Sequence, residues 1–231
     1  FFTPKMFETA KAGAQHRADA STNITLLNYV TLSPSINYRE VWSFKSLSKT
    51  YDNEFQNSDG TFGTVVSDTI SGFSNFREYG SSLSLSTNIY GTFNFKKGRL
   101  KAIRHTIRPS VSFSYRPDFA DSYNETVRTN LDGTEFETYS PFGDGTSLYG
   151  SPGSGLSNTI GFSLNNVVEG KLAPEDPDSD EEDKKITILN NLNFSSSYNI
   201  AADSLRWTPV NATLGTRIFK DKLALNLNAT L

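Results

Sequence analysis

Apolar and polar side chains alternate along most of this chain with a period of two, the repeat of an extended strand whose two faces meet different surroundings. Around residues 105–119, Ile107, Val111, Phe113 and Tyr115 alternate with Arg104, Thr106, Arg108, Ser110, Ser112 and Ser114. Residues 14–26 set Ala18, Ala20, Ile24 and Leu26 against Gln15, Arg17, Asp19 and Asn23. Residues 30–44 set Val30, Leu32, Ile36, Tyr38, Trp42 and Phe44 against Thr31, Ser33, Ser35, Asn37 and Arg39, and residues 79–95 set Leu83, Leu85, Ile89, Phe93 and Phe95 against serines, Thr92 and asparagines. The same phase returns in residues 158–170, 186–200, 208–218 and 223–231. About eight antiparallel strands and no helix follow, an all-β fold.

The length of these runs bears on what the apolar face touches. Several keep one phase for a dozen residues, whereas strands of soluble domains run about five or six. A tilted bilayer crossing takes about 9–11 residues plus its rims, so the expected fold is a transmembrane antiparallel β-barrel, present here as a fragment of a larger outer-membrane barrel. Charge follows the same division. On the apolar faces only Glu40 is ionised, while the opposite faces carry Arg17, Asp19, Arg39, Arg104, Arg108, Arg116 and Glu169. An arginine facing lipid at the midplane costs roughly 2–4 kcal/mol, falling towards zero at the interface, so Glu40 is expected near a rim. Tyr38, Trp42 and Phe44 beside it, with Phe93, Phe95 and Tyr115, are the expected membrane-interface aromatics.

Composition narrows the function classes. With 36% hydrophobic and 20% charged residues the chain is that of a folded protein, and a mean hydropathy of -0.44 with no run of about 18 apolar residues excludes a transmembrane helix but not a barrel, whose lumenal residues dilute the average. A formal charge of -3 gives no basis for a nucleic-acid partner, and the absence of cysteine excludes disulfides and thiolate metal sites. The first residues lack the pattern of a signal peptide, and alternation continues to Leu231, so the chain reads as part of a longer protein. Residues 46–78 and 117–157, rich in Gly, Ser, Asn and Asp, are expected as long external loops, and residues 27–29, 96–102 and 219–222 as short links at the opposite end.

Candidate chemistry is sparse. The acidic run at residues 175–183 begins like a calcium loop but has Glu181 where glycine is required and Thr187 at the twelfth position, so it reads as a solvated turn with no metal. The glycine-rich residues 142–155 lack the Gly-Lys-Ser/Thr of a phosphate loop and read as a surface loop, with Tyr139, Phe142 and Tyr149 able to pack it inward as a plug or lid. His16 and His105 are the only imidazoles; both share the apolar face, where an interfacial position is simpler than a hydrolase triad, and no catalytic residue or cofactor is assigned. Pro34 and Pro109 each remove one ladder donor. Arg39, Arg104, Arg108 and Arg116 share the polar face, where a row of guanidinium groups either steers an anionic amphiphile or pairs with carboxylates of a loop or plug.

The segments SPSINYREVW (33–42), LKAIRHTIRPSVSFSYRPDF (100–119), TIGFSLNN (159–166) and SSSYNIAADSLRWTPV (195–210) together resemble the barrel of the LptD (OstA-like) outer-membrane lipopolysaccharide-assembly family, in a middle portion. The resemblance implies the outer membrane of a Gram-negative bacterium, insertion of lipopolysaccharide into its outer leaflet, and no covalent chemistry. The implied partners are lipopolysaccharide, an LptE-like plug lipoprotein, a periplasmic lipopolysaccharide-transport bridge and outer-membrane lipids. It also implies an N-terminal jellyroll and closing strands, which the sequence does not contain. The alternation alone equally fits a substrate-specific outer-membrane pore or a secretion-associated barrel.

Overall fold

The computed structural model describes residues 10–174, 182–218 and 222–231. Twelve strands are present among them: β1 (Gly13–Ser21), β2 (Ile24–Leu26), β3 (Val30–Gln56), β4 (Phe62–Thr87), β5 (Ile89–Asn94), β6 (Leu100–Arg116), β7 (Glu125–Arg128), β8 (Phe136–Tyr139), β9 (Ser157–Leu172), β10 (Lys184–Asn199), β11 (Asn211–Ile218) and β12 (Leu223–Thr230). One helical turn, α1 (Ala120–Tyr123), precedes β7. Ten strands form one sheet in the order β1-β3-β4-β6-β9-β10-β11-β12, with β2 on β3 and β5 on β6; β7 and β8 pair separately. The order runs from β1 to β12, and no pairing joins those two among the described residues. The structure therefore shows an antiparallel sheet, not a closed barrel.

One expectation about connections changes. Residues 46–78, expected as a long loop, are almost wholly strand: β3 has 27 residues, β4 has 26, and only residues 57–61 turn between them. The apolar positions of β3 change parity there, from Phe44 to Leu47, Tyr51 and Phe55, and those of β4 fall on both parities, as at Val65 and Val66, which hides the period from the sequence. The turn is closed locally, with the Asn57 N–H donating to Thr61 O (2.8 Å) and Asp59 Oδ1 accepting from the Thr61 hydroxyl (2.6 Å). Residues 117–157 do form a long connection, with α1, β7 and β8 inside it.

The two prolines account for two breaks in the ladders. The Thr22 N–H still reaches Pro34 O (3.2 Å), but Pro34 has no N–H to return, and β1 gives way to β2 opposite it. Along β6, Ser86 pairs Ser110 and Ile89 pairs Ile107, in one unbroken register. Pro109 falls in the gap, and β4 gives way to β5 there. Between β2 and β3 the chain reverses through residues 27–29, with Leu27 and Asn28 at positive φ (49° and 62°) and the Tyr29 N–H donating to Leu26 O at 3.2 Å.

The chain divides into two compact units. The first takes in residues up to Ala20, Ile36–Gly80 and Arg116–Ser157; the second takes in Ser21–Ser35, Ser81–Tyr115 and Asn158–Leu231. The first has a dry core in two clusters: Val41, Phe76 and Phe142 with Tyr123 against them, and Leu47, Val127 and Tyr139 with Tyr51 and Val65. All eight buried hydrophobic residues of the described chain belong to this unit.

The second unit is built the other way round. In β4 and β6 the apolar positions Leu83, Leu85, Val111, Phe113 and Tyr115 are exposed, while the intervening Ser82, Ser84, Ser86, Ser110, Ser112 and Ser114 are half-buried. Serine hydroxyls link strands across that polar face, Ser35 to Ser82 (2.7 Å) and Ser114 to Thr159 (2.6 Å). An uncovered apolar face on this scale would carry a large hydration cost in water, at about 25 cal/mol per Å².

Candidate functional site

The four polar-face arginines fall into two groups. In the first unit, Arg39 lies over the Phe76 ring (5.4 Å to its centroid), donates from Nε to Gln15 Oε1 (2.9 Å) and from Nη1 to Glu78 Oε2 (2.5 Å), and reaches the carbonyl of Tyr149. The other Glu78 oxygen, Oε1, accepts the Gly153 N–H at 2.6 Å. Arg116 donates to the carbonyls of Ser154 and Gly155 (both 3.1 Å), and Asp118 Oδ2 accepts the Gly155 N–H at 2.8 Å. A side chain at residue 153 would overlap the Arg116 guanidinium and displace it from its present place. Two arginines and two carboxylates thus hold residues 149–155, whose neighbour Phe142 is buried against Phe76 at 4.8 Å. The loop read from sequence as a surface loop leaves Tyr149 exposed but is anchored inward by Phe142 and Tyr139, both buried. Burial, and then the hydrogen bond it donates to Glu125 Oε2 (2.7 Å), raise the Tyr139 pKa.

In the second unit, Arg104 donates through Nε to Glu169 Oε2 at 2.8 Å, with Lys171 and Lys185 beside the pair around a cavity of about 180 Å³. Asp183 takes Lys171 at 2.8 Å and Lys101 at 3.0 Å, and these two ammonium groups lower its pKa below the usual carboxylate value. Arg108 is exposed, four residues from Arg104 on the same face, and its guanidinium has no partner among the described residues. The other three arginines therefore hold the chain's own groups, and Arg108 alone of the four is uncommitted.

The expected interface aromatics also separate. Glu40 accepts from Tyr38 Oη (2.8 Å) and Trp42 Nε1 (2.9 Å), with Arg77 at 3.4 Å, so the one ionised group of the apolar face sits among aromatic donors. Trp42 and Phe44 both pack on Phe73, and His16 packs edge-on to Trp42 at 4.5 Å. Phe93 and Phe95 contact each other at 5.0 Å, and Tyr115 is exposed at the end of the apolar row in β6. Sequence reading missed Phe73, which fell in the supposed loop, and a second cluster in which Trp207 stacks on Phe162 (5.7 Å) and meets Tyr198 edge-on (5.1 Å). Parity could have found that cluster, because Phe162 and Tyr198 occupy apolar positions.

His105 Nε2 lies 3.0 Å from Asn166 Oδ1, a neutral carboxamide instead of the carboxylate that a triad places behind its base. Most of the acidic run falls at residues 175–181, outside the described residues.

These features define a class: an all-β protein whose long antiparallel strands leave one apolar face uncovered while the polar face is cross-linked by hydroxyls, carboxamides and ion pairs. A family model described as LptD protein matches residues 1–231, the whole of the sequence. The chain belongs to the LptD family. No curated protein and no solved structure matches it. The family is one of outer-membrane proteins of Gram-negative bacteria, engaged in lipopolysaccharide transport and assembly with the other components of that system, and is not an enzyme family.

Proposed function

We propose that this chain forms part of the wall of an outer-membrane barrel that inserts lipopolysaccharide into the outer leaflet. The observation that carries the reading is the inside-out second unit, whose described residues include no buried hydrophobic and whose alternate apolar positions stay uncovered. Hydrocarbon is the surrounding that removes the cost of such a face, and strands paired on both sides satisfy the backbone within it.

At roughly 3.3 Å per residue β3 extends for about 90 Å, far longer than a crossing requires, so only part of β3 and β4 lies in lipid. In this reading the connections at 57–61, 117–156 and 200–210 face outward and those at 27–29 and 95–99 face the periplasm. The serine, asparagine and arginine face lines the lumen, along which a sugar and phosphate head group passes while acyl chains remain near lipid. Arg108 is the guanidinium free to meet that head group. Arg39, Arg104 and Arg116 act first as ties, and an LptE-like lipoprotein fills the remaining lumen. Transport is driven from the periplasmic bridge.

Two measurements test this. Nitroxide labels along residues 110–115 of the full-length protein in vesicles are expected to alternate, oxygen-accessible at 111, 113 and 115 and accessible to a polar nickel chelate at 110, 112 and 114. Depletion in cells is expected to leave newly made lipopolysaccharide off the surface. Uniform label accessibility, or normal surface lipopolysaccharide after depletion together with ion conductance in planar bilayers, overturns the reading in favour of a pore.

A further inference from the structure

On the polar face of β10, β11 and β12, Asn191 pairs with Gly215 and Gly215 with Asn226, so that one row carries a carboxamide, a gap and a second carboxamide. A Cβ on Gly215 would stand 3.4 Å from Asn226 Oδ1 and 3.9 Å from Asn191 Cβ. Gly215 lines a hollow of about 520 Å³ together with Asn190, Arg217 and Ala224.

The polar groups around it have spare capacity. Asn191 Oδ1 accepts from Asn165 Nδ2, which leaves the Asn191 amino group free to donate. Asn190 Oδ1 accepts the backbone N–H of Arg217 at 3.1 Å, again leaving the amino group. Among the described residues the side chains of Asn226 and Arg217 have no partner, and no carboxylate lines the hollow.

We infer that this hollow binds an acidic saccharide, the carboxamides taking ring hydroxyls and Arg217 taking a phosphate or carboxylate on the sugar. Carboxamides offer donors and acceptors side by side, as vicinal hydroxyls do, and a guanidinium grips an oxyanion through two parallel N–H bonds. A protein segment is the poorer occupant, because interfaces are anchored by buried aromatic or large apolar groups and the hollow offers only Ala224. The inference rests on the lipopolysaccharide reading and deepens it by placing a sugar subsite on three named strands.

The test places a photo-crosslinking amino acid at Ala224, which lines the hollow without a role in binding, and at Ser110 on the polar face of β6, in the full-length protein in living cells. Saccharide-bearing adducts recognised by anti-lipopolysaccharide serum are expected at 224, with the yield there falling about tenfold in Arg217→Gln. Gly215→Leu, which fills the gap, is expected to do the same while heat-modifiable mobility shows the protein still folded. Adducts at 110 but not 224, a protein adduct at 224, adducts carrying another polysaccharide, or a yield indifferent to Arg217→Gln overturn the subsite while the assembly reading stands. No lipopolysaccharide adduct at either position overturns both.

Discussion

Glu78, on β4, accepts the backbone N–H of Gly153 at 2.6 Å, and so fastens the last part of the longest connection, just before β9, to a strand. The same carboxylate holds Arg39 at 2.5 Å, and both side chains are largely covered, at 13% and 24% exposure. Charge-assisted bonds of this kind contribute about 1.5–3 kcal/mol each when shielded from water. Gly153→Val forces a side chain onto the Arg116 guanidinium and within 3.1 Å of Glu78 Oε1. Hydrogen exchange at residues 149–155 is expected to accelerate about tenfold or more, while β4 amides around Phe76 keep their protection. Unchanged protection at Gly153 and Gly155 would show that the loop is held by Phe142 alone.

The break between β4 and β5 has its own test. Pro109 supplies no N–H where the ladder between β6 and its neighbour is interrupted, although the register on either side is continuous. Pro109→Val restores the donor with a strand-favouring side chain. The variant is expected to gain about 0.5–1 kcal/mol in reversible unfolding, with slowed exchange at Thr87 and Asn88. A loss of stability would mean that the break relieves strain in the sheet.

Strand identity was legible wherever the two faces met different surroundings, as at Leu83–Ser84–Leu85 and Val111–Ser112–Phe113. It was illegible over residues 46–78, where the apolar positions of β3 change parity after Phe44 and those of β4 fall on both parities. Val41, at a polar-parity position of a legible run, and Phe76, inside the supposed loop, form the dry core with Phe142. That core is supplied from a distant loop, which strand periodicity does not record. The arginines were legible as a row but not as partners, because Glu78 and Gly153 lie far from Arg39 in sequence and only the fold brings them together. The hollow at Gly215 left a still fainter trace, since a glycine in a strand usually signals a bulge or a close approach instead of a site.

The turn at Leu27 and Asn28 trades side-chain preference for twist. Asparagine tolerates the left-handed region, but leucine at φ 49° carries a penalty of roughly 1 kcal/mol, and its side chain is 85% exposed. Leu27→Asn is expected to raise stability by about 0.5–1 kcal/mol in denaturant titrations. A destabilised variant would show that the leucine is anchored in a surface absent from the isolated chain.

Asp183 joins the ends of β6 and β9 through Lys101 and Lys171. Its pKa is lowered, first by the hydrogen bond from Lys171 and then by that from Lys101. A carboxylate depressed in the folded state contributes stability that is present above its unfolded value, about 3.9, and is lost as pH falls through the lower folded value. The Lys101 and Lys171 ammonium signals are therefore expected to stay ordered down to pH about 4 and to loosen below it, sooner in high salt. Asp183→Asn removes that dependence. A carboxyl carbon titrating at the ordinary aspartate position would contradict the bridge.

Leu85 and Ser84 are neighbours on opposite faces, Leu85 exposed and paired with Val111, Ser84 half-buried and paired with Ser112. Arginine at the two positions asks which face meets hydrocarbon. Leu85→Arg is expected to cost about 2–4 kcal/mol in equilibrium unfolding from lipid vesicles, and Ser84→Arg about 0.5 kcal/mol or less. A dry protein core would penalise Leu85→Arg as well, so depth supplies the discrimination: Phe95→Arg, beyond the end of β5, is expected to cost close to nothing. A core has no reason to grade the penalty with distance from the strand end, whereas a bilayer must. Equal costs at residues 85 and 95 would therefore remove the lipid face, and with it the lumen assigned to the serines, asparagines and Arg108.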